Sequence, residues 1–422
     1  MMEYDLWISG YKDPYTEQLC NLGVKNGIIT YTAPFFESSA YQSIQAAETI
    51  SGAGRLLLSG LVESHIHLDK SFLSSQLQQN ATSLTEAISF TAELKKDYTI
   101  EDIINRSVVV IERSIQAGVT HLRCQVEIDP IIQLKSLEAA LYLKKRYSSM
   151  ITLQLVAFPQ EGIFNQPGTQ ELMQEAVNRG VDVIGGIPYN DRDPLEHLEW
   201  IFQLAKSNEL PLDIHVDFSD DPSDETIVDI IRLTEEYGLQ GKVAVAHLTS
   251  LGSMELPKAE EIAKGLANAQ ISVMTLPATD LYLNGRGDTV RPRRGLTPVQ
   301  LLLENGVNVC FGTNNIRNAF TPFGNGDPLD IAFLLAQTAY LGTEEDAKLL
   351  LEMCTTRAAK AIGLNYPGIV VGAPADFVLV DATKASHLIY DRTADRIVWK
   401  NGVRVAEANT YRYILAPDVI TY

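Results

Sequence analysis

Basic side chains are in short supply: 34 Lys and Arg against 53 Asp and Glu give this 422-residue chain a formal charge of −19 and a pI near 4.8. Nucleic acid and anionic membrane surfaces would both repel such a protein, so neither is an expected partner, and a small uncharged ligand fits better. Cysteine is scarce as well. Cys20, Cys124, Cys310 and Cys354 lie far apart with no Cys-x-x-Cys pair, which argues against a disulfide scaffold and for free thiols in a reducing compartment. No window approaches the roughly 18 apolar residues of a spanning helix. The opening MMEYDLWISGYKD has neither a basic start nor a long apolar run, so a cytoplasmic location is expected. With 45% apolar and 21% charged residues, the composition is that of an ordinary globular protein, and the length suits one large barrel with a minor satellite domain.

Short β-prone runs punctuated by turns occupy both ends. Near the start are Asp5–Ser9, then Asn26-Gly27 and Ile28–Tyr31; near the finish are Phe377–Val380, Arg396–Trp399, Asn401-Gly402 and Val403–Val405. Asn-Gly is the signature of a two-residue hairpin. The two ends are expected to pair into one small β-sandwich, from 1–57 and 368–422. Between them, over 58–367, apolar strand-like runs alternate with amphipathic helical stretches. Strands are predicted near Leu61–His65, His121–Val126, Ile151–Phe158, Asp182–Ile187, Leu212–Val216, Val243–His247, Ile271–Leu276 and Val307–Gly312. Eight βα units predict a closed (β/α)8 barrel, an α/β fold of TIM-barrel type. No GxGxxG follows an early strand to favour an open doubly wound sheet.

Of seven histidines, four stand at the C-terminal ends of predicted barrel strands: His65, His67, His215 and His247. Barrel enzymes keep their active sites there. Residues two apart on a strand share a face, so His65 and His67 can both point into the barrel mouth. Imidazoles gathered in that way invite a divalent metal. His121, His197 and His387 read as satisfied core or surface side chains.

LVESHIHLDKS, with its HxH at the end of the first strand, resembles the metal motif of the amidohydrolase superfamily. VAFPQEGI (Val156–Ile163), LDIHVDFSDD (Leu212–Asp221), AHLTS (Ala246–Ser250), GRGDTVRPRRGLTP, GVNVCFGTNNIRNAFTPFGNGD and GAPADFVLVD extend the likeness over essentially the whole chain. They are similar to the bacterial cytosine deaminases and the N-isopropylammelide amidohydrolases. The resemblance implies that His65, His67 and His215 ligate one divalent metal, zinc or iron. It implies that His247 contacts the attacking water or the tetrahedral intermediate, and that Gln160 reads the substrate. A carboxamide offers a donor and an acceptor side by side, complementary to a cyclic amide. A homo-oligomer is implied on the same ground alone.

The chain departs from the pattern where the chemistry sits. The family's eighth strand ends in an aspartate that ligates the metal and takes a proton; here stand Asn314 and Asn315. A neutral amide ligates weakly and is no base near pH 7, so the metal is expected to be held weakly. The deaminases carry a glutamate three positions after the fifth-strand histidine, and Phe218 replaces it. On strand two CQVE replaces THVD, putting Gln125 for histidine and Glu127 for aspartate. Phe218, Asn314 and Asn315 therefore join Gln160 as candidate substrate-contacting residues. Asp217, Asp69, Glu127 and Lys70 are the nearest candidates to supply acid or base chemistry. Asp217, two residues after His215 and so expected on its face, is the first choice. The basic loop carrying Arg286, Arg291, Arg293 and Arg294 reads as solvated or internally paired, and Asp327 as a helix cap. Two functions compete: a metal-dependent amidohydrolase cleaving a C–N bond of a small heterocycle or cyclic amide, with cytosine itself disfavoured, and a catalytically silent barrel that binds a small heterocycle or a partner subunit.

Overall fold

The computed structural model describes residues 3–35, 44–365, 368–411 and 413. The outer ends of the expected satellite segments, 1–2 and 414–422, lie outside the described residues, as does 36–43. Eight parallel strands form the central sheet: β6 (Leu61–His67), β7 (Val119–Glu127), β8 (Thr152–Phe158), β9 (Val183–Gly186), β10 (Leu212–Val216), β11 (Val243–His247), β12 (Ser272–Thr275) and β13 (Asn308–Phe311). They are neighbours in chain order, and helices connect them. Closure comes from one residue. Asn314, just past β13, bridges Ile66 in parallel register, its N–H donating to the His65 carbonyl and its carbonyl accepting from the His67 N–H, both at 2.8 Å. The eighth strand thus reaches the first between its two histidines. Gly312 permits this approach, since a Cβ there would lie 2.9 Å from His65 Cβ and 3.0 Å from Glu63 Oε1.

The second sheet takes strands from both chain ends in the order β16 (Val403–Ala408), β15 (Arg396–Lys400), β14 (Phe377–Val380), β5 (Leu56–Ser59), β1 (Glu3–Lys12), β2 (Leu19–Lys25) and β3 (Ile28–Pro34); β4 (Gln45–Ser51) also pairs with β1. Strand β1 therefore has two partners on one side, β4 along Glu3–Ser9 and β5 at Lys12, and the sheet divides there as a sandwich requires. One apolar cluster, with Leu6, Leu22, Leu57, Phe377 and Trp399, joins strands from both ends. The two Asn-Gly turns behave as expected, with φ of 51° and 74° at Asn26-Gly27 and 49° and 74° at Asn401-Gly402. They also touch. A Cβ on Gly27 would sit 2.8 Å from the Asn401 carbonyl oxygen.

Arg123 and Asp213 meet at 2.9 Å with side chains almost fully buried. Asp327 caps the helix Pro328–Thr338 by accepting from the Leu329 N–H at 3.0 Å. All four cysteines are free thiols. Among the described residues no helix is long and apolar enough to cross a membrane.

Candidate active site

The strand ends bring the four histidines together at one rim. His65 Nε2 lies 3.1 Å from His215 Nε2, which is 3.3 Å from His67 Nε2, and all three rings are buried. Burial, reinforced by neighbouring positive charge, holds His67 and His215 well below the ordinary imidazole range and lowers His65. Near neutral pH the rings are uncharged and carry lone pairs. Three nitrogens around one tetrahedral ion at about 2.1 Å stand about 3.4 Å apart, so the observed spacing fits a divalent metal. Buried Nδ1 atoms on His67 and His215 have no hydrogen-bond partner. His215 is oriented by ring packing against Phe158, centroids 4.3 Å apart. Behind His65 stand Gln125, 3.2 Å from Nδ1, and Asp213, 3.6 Å from Nδ1 and itself paired to Arg123.

His247 sits beside this cluster in left-handed backbone conformation, φ 71°. Such a residue costs about 1–3 kcal/mol and survives only where its surroundings enforce it. Here Thr297 Oγ1 donates to the His247 carbonyl at 2.6 Å, and Asp280 Oδ1 accepts from Nδ1 at 2.7 Å. Asp280 thereby fixes the tautomer and leaves Nε2 as the free acceptor. The Phe218 ring stacks flat on His247, centroids 4.0 Å apart and planes 9° apart. An aromatic wall occupies the place where the family resemblance implies a carboxylate.

A cleft lies over the imidazoles, lined by His67, Lys70, Leu84, Gln160, Tyr189, His215, Phe218, His247, Thr279, Asn314, Asn315 and Phe320, with free space of about 10 Å³, room for a single water. No carboxylate lines it among the described residues. Lys70 donates to Gln160 Oε1 at 2.7 Å and to Glu127 Oε1 at 3.0 Å, with its ammonium 4.5 Å above the Phe320 ring. The other oxygen of Glu127 meets Lys95 at 2.9 Å; Lys95 also contacts Asp129 and Glu161, each at 2.8 Å. Those two lysines hold Glu127 down at about 2 despite complete burial. Asp69 is pushed up to about 6 by burial and by Glu127, whose N–H it accepts at 2.9 Å.

Asp217 is placed elsewhere. Strand β10 stops at Val216, and Asp217 turns into left-handed backbone, φ 45°, so the alternation that would set it beside His215 is broken. Its carboxylate oxygens accept the N–H groups of Thr226 and Ile227 at 3.1 and 3.0 Å, at the start of the next helix. Its own carbonyl accepts from Thr249 and Ser250, both at 3.1 Å. Asn314 has φ 61°; its Oδ1 accepts from Asn315 Nδ2 at 3.0 Å, and its Nδ2 is buried without a partner. The amide oxygen thus faces a neighbour.

His197 is a satisfied core side chain, accepting from the Ile187 N–H at 3.0 Å and pairing with Asp191 at 2.8 Å. In the basic loop Arg293 is paired with Asp288 at 2.9 Å and Arg294 donates to the Thr338 carbonyl at 3.0 Å. Sequence reasoning missed Asp213, Asp280, Lys95 and the wall residues Tyr189, Thr279 and Phe320. Asp213 had a signal, since it precedes His215 by two on one strand and shares its face. Asp280, 33 residues beyond its histidine on another element, had none.

Comparison with known proteins agrees with this fold. A 5-methylcytosine deaminase from Klebsiella pneumoniae, solved with 5-fluorocytosine, superposes with a TM-score of 0.91 at 27% identity, over 97% of this chain and 99% of that one. An N-isopropylammelide isopropyl amidohydrolase of Pseudomonas sp. (strain ADP) is 28% identical over 84% of this chain and 87% of its own length. A pterin deaminase of Rhizobium rhizogenes is 25% identical over 94% of this chain and 90% of its own. The model of the amidohydrolase family matches residues 108–406, and the chain belongs to that family.

Proposed function

We propose that the protein is a metal-dependent amidohydrolase that cleaves a C–N bond of a small nitrogen heterocycle or cyclic amide. The observation that carries this reading is the convergence of three neutral imidazole nitrogens, 3.1 and 3.3 Å apart, at the floor of the cleft in the barrel mouth. His65, His67 and His215 would hold the ion; zinc and iron both suit imidazole ligands. When bound, a divalent ion supplies a Lewis acid and makes water more acidic near neutral pH.

The chain's own residues divide the remaining work. His247, its tautomer set by Asp280, presents Nε2 as the group that can accept a proton and return it to the leaving nitrogen. Phe218 covers one face of His247 by stacking on it. Gln160 and Asn314 meet the ring's polar edge, and Asn315 holds Asn314. Asp217 ties the end of β10 to the turn after β11 through its carbonyl, and so positions His247.

A second reading has its own observation. The carboxylates a deaminase relies on are replaced by an amide and a phenyl ring, and none lines the cavity among the described residues. A silent barrel that binds a heterocycle or a partner subunit fits that. Metal analysis together with turnover of pyrimidines, triazines and cyclic amides separates the two: the hydrolase reading requires bound metal and release of an amine, ammonia or a ring-opened product. Four free thiols, three of them buried, support a reducing, cytoplasmic setting. A homo-oligomer is proposed from family resemblance and is checked by light scattering.

A further inference from the structure

A carboxamide recognises a ligand through whichever end, oxygen or nitrogen, is left free, and in this cavity neighbouring groups settle the choice. The backbone N–H groups of Phe320 and Thr321 donate to Asn318 Oδ1 at 3.0 and 3.1 Å. Asn318 Nδ2 therefore points the other way, donating to Asn315 Oδ1 at 2.7 Å and to the Lys70 carbonyl at 3.2 Å. Asn315 is left to donate through Nδ2 to Asn314 Oδ1, at 3.0 Å. The free end of Asn314 is then Nδ2, buried and unpartnered. Reversing any amide in this relay would set donor against donor or oxygen against oxygen. Lys70 acts on Gln160 in the same way: an ammonium has donors only, so its 2.7 Å contact is with Oε1 and the free end of Gln160 is again its NH2.

Asn314 and Gln160 thus present donors to a cavity that Lys70 also lines, while the carboxylates that offset the two lysines, Glu127, Asp129 and Glu161, line no part of it. We propose that this site, taken as the substrate pocket of the hydrolase reading, selects heterocycles whose recognised edge carries acceptors only, above all ring imides in the anionic O=C–N⁻ form. A neutral edge with N–H beside C=O would turn its hydrogen against one of these donors. It would leave that donor buried and unpaired, and binding should weaken about ten- to hundredfold.

Calorimetry on the full-length protein at pH 8 tests this with cyanurate and 5-nitrouracil, both ionised at a ring nitrogen, against neutral uracil and dihydrouracil, in which every ring N–H stands beside a C=O. The anions are expected to bind at least about tenfold more tightly. Two near-isosteric variants, Gln160→Glu and Asn314→Asp, each keep the contact to Lys70 or Asn315 through one oxygen and turn the other oxygen toward the cavity. Each should cut anion affinity about ten- to hundredfold and abolish the preference for anionic over neutral rings, with thermal unfolding confirming the fold. Equal affinity for neutral and anionic rings, an unchanged preference in well-folded variants, or binding of no ring at all overturns the proposal. Turnover is scored separately. Hydrolysis of a neutral ring without anion preference sinks the selectivity and leaves the hydrolase reading standing. Anion selectivity with neither bound metal nor turnover sinks the hydrolase reading alone.

Discussion

The two walls of the barrel mouth differ in how they are held and in what they offer. On the side of β6, β10 and β11, imidazoles oriented by ring packing and by Asp213 and Asp280 turn lone pairs inward. On the side of Asn314 and Gln160, amides oriented by a chain of hydrogen bonds turn N–H groups inward. They meet at the backbone of Asn314, which closes the barrel between His65 and His67. Substituting the side chain at a position whose backbone is a strand closure changes the chemistry and leaves the scaffold untouched. That explains how a chain superposing at TM-score 0.91 on a deaminase can lack the acidic groups expected of one.

Breaking the imidazole wall should have the largest effect. His215→Ala removes one of three nitrogens, and we expect no retained metal and no measurable turnover, read by elemental analysis and product assay. His247→Asn keeps the metal ligands and removes the proton-handling group, so kcat/KM should fall about 10²–10⁴-fold at unchanged metal content. The amide wall rests on buried charge. Lys95→Met takes the cation from Asp129 and Glu161 and leaves Glu127 with Lys70 alone, and should cost about 3–5 kcal/mol in urea unfolding. Asp191, held down at about 2 chiefly by its bond to His197 and by the backbone N–H groups of Ile163 and Phe164, anchors the loop that carries Gln160. Its folded-state pKa is depressed, so its stabilisation is present above pH about 4 and is lost as pH falls toward 2. Asp191→Asn should therefore destabilise by about 1–3 kcal/mol at neutral pH, with the deficit shrinking in acid, as stability–pH curves would show. The smallest effect is remote from both walls: Gly27→Ala, at φ 74° against the Asn401 carbonyl, should cost about 1–2 kcal/mol with turnover unaltered.

The imidazole wall was legible in the sequence because its information is local. HxH at a strand end and single histidines closing two later strands specify a rim by period and position. The Asn-Gly turns are legible for the same reason. The amide wall was not, because its orientation is set by contacts between segments far apart, Lys70 with Gln160 and with Asn318, and a sequence does not say which end of a carboxamide faces out. Asp217 shows the limit of local rules. Alternation sets it beside His215 only while the strand continues, and the strand ends one residue earlier. Lys95 lies on a helix, where nothing nearby announces a buried cation with three carboxylate partners.

The most direct test is the metal content of the protein after purification without chelator and re-equilibration with zinc or ferrous iron, measured beside His215→Ala. About one equivalent per wild-type chain and none in the variant is the expected result. A wild-type chain that takes up no metal under either condition, while folded and still binding rings, would contradict it.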